Sequence, residues 1–261
     1  NDTCNVTTTT LGGNLKPQTA TNYNLGIILT TEGGFTGSLD YWSYDYEDLI
    51  GPGESAASIL ANECTAGRYT PDERVTRDGS GQLISVVNNF ANLGGVVANG
   101  FDLTSEYTFY EVLGGDITLN GNLTYIRTYD IDSGDGSPVF DGANNRNSSF
   151  GQLGSVPDTR FNIGLDWKDG IQSASFYVRH IGGYDDRTPG NDYASIDSQT
   201  VIDVQYSYDF DQLFGDGLTN LSVGINNLTD QDPPAVDRNS ADGRRAFDSL
   251  VHDPRGRIAY V

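Results

Sequence analysis

The property that narrows the possible folds of this chain most is a period of two in its hydrophobicity, repeated along nearly its whole length. Val97, Phe101, Leu103, Tyr107 and Phe109 alternate with Gly100, Asp102, Thr104, Glu106 and Thr108. The split recurs as Ile117, Leu119, Leu123 and Tyr125 against Asp116, Thr118, Asn120, Asn122 and Thr124. Phe161, Ile163, Leu165 and Trp167 oppose Arg160, Asn162, Gly164 and Asp166. Ile202, Val204, Tyr206, Tyr208 and Phe210 oppose Asp203, Gln205, Ser207 and Asp209, and Leu221, Val223 and Ile225 oppose Asn220, Ser222 and Gly224. Weaker strands read at Thr19–Thr30, Phe35–Glu47 and Ile171–Ile181, and a last one begins near Arg255, which makes nine. The apolar sides carry no charge at all, whereas Asp102, Glu106, Asp116, Asp166 and Asp203 all fall on the other side.

The connections between these strands alternate in length. Residues 31–34, 112–115, 168–170 and 211–217 are short, whereas roughly 48–82, 131–157, 182–195 and 229–254 are long and polar. In an up-and-down meander this puts the short turns at one end of the sheet and the long loops at the other. Strands of about ten residues, apolar outward and polar inward, with sorted loops are the wiring of an outer-membrane barrel. The cost of charge on a lipid face, roughly 2 to 4 kcal/mol for Arg or Lys near the midplane, explains the uncharged side. Trp167, Tyr208, Phe210, Tyr107 and Phe109 fall next to short turns, as aromatics at a membrane boundary do. An amphipathic soluble sheet with an aromatic core produces the same alternation and stays open as the alternative.

Composition removes other classes. The 36 acidic and 15 basic residues leave a net charge of -21, which repels a phosphate backbone, so no nucleic-acid partner is expected. Aromatics at 11% and 32 Gly favour strands and turns. The longest aliphatic cluster, Leu25 to Leu29, is interrupted by Gly26 and falls far short of the roughly 20 apolar residues of a membrane helix. With no Met and an opening at Asn1-Asp2-Thr3-Cys4, the sequence reads as a processed chain or an excerpt. Catalytic signatures are missing: there is no nucleophile elbow, phosphate-binding lysine loop or dinucleotide fingerprint, so no enzyme and no cofactor are expected. His180 and His252 lack partners at ligand spacing, and the run Asp130–Gly136 with Asp141 is out of register with a calcium loop, so no metal is expected either.

Several segments together resemble TonB-dependent outer-membrane receptors. Asn14-Leu15-Lys16-Pro17-Gln18-Thr19 with Asn22-Tyr23-Asn24-Leu25-Gly26 is similar to that family's NLKPET…NYELG segment. Phe35 to Ile50 looks like its next strand, and Gly100-Phe101-Asp102-Leu103 like its GxDL strand. Asn227-Leu228-Thr229-Asp230, then Pro233-Pro234, is similar to its NLxD segment, and Asp253-Pro254-Arg255-Gly256-Arg257 to the opening of its closing strand. The resemblance implies an all-β fold: an antiparallel up-and-down transmembrane β-barrel, of which residues 1–261 form about nine C-terminal strands out of 22. It implies a plug domain and first strands outside this chain, and residues beyond Val261. It also implies a bacterial outer-membrane receptor that takes up a scarce nutrient, a metal chelate, cobalamin or oligosaccharide, with energy from the TonB complex acting through the plug. Lipid and lipopolysaccharide would surround it.

Cys4 and Cys64 are the only cysteines, and an even pair in an exported chain reads as one disulfide, with two buried free thiols as the alternative. In the receptor wiring both lie on the outer side, where closing such a loop is worth roughly 4 kcal/mol. Candidate ligand contacts are the rim aromatics Trp42 and Tyr44 and the loop run Tyr184, Asp185, Asp186 and Arg187; the competing roles are an interfacial girdle and a solvated loop. A secreted β-sandwich adhesin or carbohydrate-binding module, with sequons at Asn5, Asn122, Asn147, Asn220 and Asn227, remains the alternative from another class. A passive porin or a barrel enzyme is a further one.

Overall fold

The computed structural model describes residues 7–11, 14–52, 56–63, 69–92, 94–134, 136, 138–147, 154–186, 194–211, 217–236 and 247–261. Its main sheet is a meander of β1 (Thr19–Thr30), β2 (Phe35–Glu47), β3 (Gly95–Val112), β4 (Gly115–Asp132), β5 (Thr159–Lys168), β6 (Gln172–Ile181), β7 (Gln199–Asp211), β8 (Leu218–Asn226) and β9 (Ile258–Tyr260). Every strand along this path pairs with its neighbour in sequence, and β4 through β9 pair antiparallel. Nine strands, four short hairpins and four long connections are what the alternation predicts. β3 and β4 run 18 residues each, well beyond the roughly 9–11 that cross a bilayer, so both extend past it.

Register keeps the two faces distinct across the sheet. One row reads Leu119, Leu165, Phe176, Val204, Ile225, Ala259; the adjacent row reads Thr118, Asp166, Ser175, Gln205, Gly224, Tyr260. A slip of one residue in β5 or β7 would put Asp166 or Asp203 into the apolar row. Phe101, Leu165 and Phe176 are 36%, 40% and 41% exposed, which is incompatible with the inner face of a sandwich, where such side chains are buried. The aromatic pairs Tyr107–Phe109 and Tyr208–Phe210 sit beside the short turns with ring centroids 4.5 Å apart in each.

The polar face is tied by hydrogen bonds. Asp166 accepts from Ser175 Oγ at 2.6 Å, Asn120 Nδ2 at 2.9 Å and the Tyr177 hydroxyl. Thr124 donates to Asp102 at 2.6 Å, Asn162 to Asn122 at 2.9 Å and Asn220 to Asp209 at 2.7 Å. Tyr260 lies over Gly224, so close that a Cβ there would clash with its ring, and its hydroxyl donates to Gln205 Oε1 at 2.8 Å. The short β9 is held largely by that ring. Gly224→Val is therefore expected to displace Tyr260 and expose β9, seen as loss of amide-exchange protection at 258–260 with β7 unaffected.

The chain divides into two compact units. One comprises residues 1–21, 44–97 and 131–140; the other comprises 22–43, 98–130 and 141–261. In the first, strand Leu83–Asn92 pairs with Thr7–Leu11 in parallel and with Ile50–Pro52 and Val75–Arg77 antiparallel. The helix Ala56–Glu63 contacts this strand, and Ile59 and Val86 are fully buried. Glu63, 2% exposed, accepts from Arg77 at 2.6 Å and from the Asp72 amide at 3.2 Å. Asp72 is itself held down to about 2 by hydrogen bonds from the Arg74 side chain and amide. Residues 48–82 thus contain a helix and small strands where the sequence reads as a polar loop: an apolar residue such as Ile59 buries only when it is brought together with residues outside that stretch, such as Val86.

In the second unit the buried core lies among the long connections, not in the sheet. Tyr184, Ile196 and Val236 pack together with Val251 against them. Around them runs a buried polar cluster. Arg146 Nη1 lies 3.1 Å from Asp186, its Nε 3.9 Å from Asp248, and these side chains are 8%, 0% and 2% exposed. Asp248 also accepts from Ser155 Oγ and from the Tyr184 hydroxyl at 3.0 Å. Three separate connections, 133–158, 182–198 and 227–257, meet here.

Candidate functional site

A cavity of the second unit lies on the polar face, where β6, β7 and β8 pass into the long connections. It measures about 470 Å³, and its polar wall is Arg179, Gln199, Asp203, Asn227, Asp253 and Arg255. Alternation delivers these groups: Arg179 and Asp203 lie on the polar face of adjacent strands, one pair offset from Tyr177↔Asp203. Arg179 Nε donates to Asp203 at 2.7 Å, and the other Asp203 oxygen accepts the Asn227 amide at 2.8 Å. Asp253 accepts from Arg255 Nε at 2.8 Å, and the Arg255 guanidinium and amide hold its carboxyl down to about 2.

Two guanidinium groups, 51% and 73% exposed, therefore line the cavity while bonded only to carboxylates that are themselves on its wall. A ligand with carboxylate, phenolate or hydroxamate oxygens can accept from the same donors, because a guanidinium offers five N–H groups in a planar fork. No group of three or more His, Cys, Asp or Glu is placed to hold a metal ion among the described residues.

The rim aromatics fall on the polar face as well. Gly26 stands against Asp40, Ser38 bonds Thr104 at 2.8 Å, and a Cβ at Gly100 would be 2.5 Å from the Trp42 ring, so Ser38, Asp40 and Trp42 share the side that carries Asp102 and Thr104. Tyr41 pairs with Phe101 on the apolar side, ring centroids 5.4 Å apart. In the other unit Tyr44 stacks on Tyr46 at 6.1 Å and 14°. Gly100→Ala is expected to push the indole off its seat; with Trp167→Phe as background, Trp42 is the only indole left and its emission should shift.

The structure separates the loop candidates. Tyr184 and Asp186 are 2% and 0% exposed, with their polar atoms engaged inside the loop cluster. Burial and the neighbouring Asp248 carboxylate raise the Tyr184 hydroxyl far above its usual range, keeping it a donor. Asp185 is partly exposed. Arg187, Cys4 and Cys64 lie outside the described residues, the disulfide with them. Arg179, Asp203, Asp253 and Arg255 are not among the ligand contacts that the sequence suggests. Two charges on the polar side of neighbouring strands were the available signal, lost among 36 acidic residues.

Known proteins share this architecture. The siderophore receptor PirA from Acinetobacter baumannii superposes with a TM-score of 0.60 at 19% identity, over 94% of this chain and 31% of that one. The ferric enterobactin receptor PfeA from Pseudomonas aeruginosa gives 0.59 at 20% over 93% and 30%, and the FrpB iron transporter from Neisseria meningitidis 0.59 at 13% over 96% and 30%. The chain thus spans about three-tenths of the length of these structures. A search of curated protein sequences finds no match. Residues 3–228, however, match the family described as TonB dependent receptor-like, beta-barrel. Sequential antiparallel strands, an uncharged face, sorted connections and this match lead to one conclusion: the chain belongs to the TonB-dependent receptor β-barrel family of the bacterial outer membrane.

Proposed function

We propose that the receptor containing this chain binds a scarce nutrient from outside the cell and imports it with TonB-coupled energy, and that residues 1–261 supply barrel wall and outer loops. The observation that carries this reading is the pairing of an apolar, two-fifths-exposed face with a hydrogen-bonded polar face along the nine-stranded meander. Lipid would take the first face and a lumen the second. The plug and its contact with TonB would lie in the rest of the receptor. Loop acidity would be bridged to lipopolysaccharide by divalent cations.

The ligand fits the chemistry of the cavity wall. Exposed guanidiniums on a polar wall suit an anionic metal chelate better than a neutral oligosaccharide. PirA and PfeA are a siderophore receptor and a ferric enterobactin receptor, respectively, and FrpB is an iron transporter. Arg179→Ala with Arg255→Ala removes both donors. Each charge-assisted hydrogen bond lost is worth about 1.5–3 kcal/mol, so binding of a ferric catecholate to the full receptor is expected to weaken by at least about tenfold. Titration calorimetry with a ferric catecholate, a ferric hydroxamate, cobalamin and an oligosaccharide checks this. Unchanged binding of every chelate, or tight binding of the oligosaccharide alone, would overturn the assignment.

A further inference from the structure

The buried imidazole of His252 has no part in the function proposed above. His252 lies in connection 227–257 and is 3% exposed. Its ring stacks on Tyr184 from connection 182–198, centroids 6.0 Å apart and planes at 16°. Nδ1 is 2.8 Å from Gln199 Oε1 at the start of β7, so Nδ1 carries the hydrogen and Nε2 the lone pair. Nε2 is buried and has no hydrogen-bond partner. The same Tyr184 donates to Asp248, which accepts from Ser155 and lies 3.9 Å from Arg146, both in connection 133–158. The aromatic stack therefore joins elements of two long connections, and Asp248 ties in the third.

We propose that the Tyr184–His252 stack, with Gln199, Asp248 and Arg146, is an acid-release latch that holds residues 145–147, 184–186, 196–199 and 248–252 together at neutral pH and frees them when His252 takes up a proton.

Protonation creates a cationic N–H at Nε2, which has no hydrogen-bond partner among the described residues. The charged and titratable groups facing the imidazole are few. Asp248 favours the cation; Arg160 at the start of β5 opposes it; Tyr184 above the ring stays a neutral donor; and Arg146 is bonded to Asp186 and Asp248. Burial outweighs Asp248 and holds the imidazole below its ordinary 6.5. The sign follows. An opened latch exposes His252 to water, where it titrates near 6.5, so below that pH the open form binds a proton that the closed form refuses. The latch is intact above about 6.5 and weakens as pH falls, until the closed form also protonates. Asp253, held at about 2 by Arg255, keeps its charge throughout and adds no pH dependence in this window.

Amide exchange on the full receptor in lipid nanodiscs, corrected for intrinsic rates, tests the latch. Between pH 7 and 5, protection at 145–147, 184–186, 196–199 and 248–252 is expected to fall together, by up to about tenfold per pH unit, the limit for one proton. The β5–β6 hairpin should not change. In His252→Gln the profile should be flat over this range, whatever its protection at pH 7. Three outcomes overturn the proposal: connections that open at separate pH values, loss that begins only below about pH 4 where carboxylates titrate, or an unchanged pH slope in His252→Gln.

Discussion

Arg146→Met is expected to undo the loop cluster while leaving the sheet folded. The guanidinium stands between two carboxylates, Asp186 at 0% and Asp248 at 2% exposure. Removing it strands a buried negative charge, and breaking a buried pair this way costs about 3–5 kcal/mol. Burying Tyr184, Ile196 and Val236, with Val251 beside them, contributes roughly 1.5–3 kcal/mol each, so the loss is of the same order as this small core's whole contribution. The loss should appear as rapid proteolysis within 133–158, 182–198 and 227–257, with β4–β7 still protected. Asp186→Asn in the same background removes the stranded charge and should restore part of the resistance. If single-site Arg146→Met were as resistant as the natural protein, the cluster would not be what holds these connections.

A charge on the apolar side is expected to have the second large effect. Ile163 lies midway along β5 between Gly121 and Val178, 45% exposed on the uncharged face. Its neighbour Asn162 is on the polar face, bonded to Asn122. With lipid on the first face, Ile163→Lys should destabilise the barrel by about 2–4 kcal/mol, since the ammonium must reach an interface or lose hydration. Asn162→Lys, one residue away, should change stability far less. Denaturant titration in lipid vesicles measures both. Equal effects at the two positions would mean that the faces do not differ in solvent, and the lipid reading would fail.

The meander was legible because its determinants are local. Each strand needs only its own alternation, and each hairpin its own turn: Leu113 and Gly114 take positive φ, 54° and 80°, in the tight link between β3 and β4. Repeated nine times, these signals place Leu165 opposite Leu119 and Phe176 without reference to distant contacts. The helix at Ala56–Glu63 and the strand at Leu83–Asn92 were not legible in the same way. Their apolar residues are sparse, and their stability comes from partners far along the chain, such as Glu63 with Arg77 and Lys16 with Asn92.

The site candidates divide along the same line. Trp42 falls on the polar face, as its parity with Asp40 requires, and parity is a property of the sequence. Tyr184 and Asp186 sit in a polar run that reads as a solvated tip, and they are buried because Arg146, 40 residues before Asp186, and Asp248, 64 after Tyr184, come to meet them. Sequence alone determined the strand order, the uncharged side and the sorting of the connections, since period and turn chemistry act over a few residues. Only the tertiary structure decided which loop charges are exposed and which are paired. Pairing depends on distances between residues far apart in the chain, and with 36 acids against 15 bases composition does not say which carboxylate meets which cation.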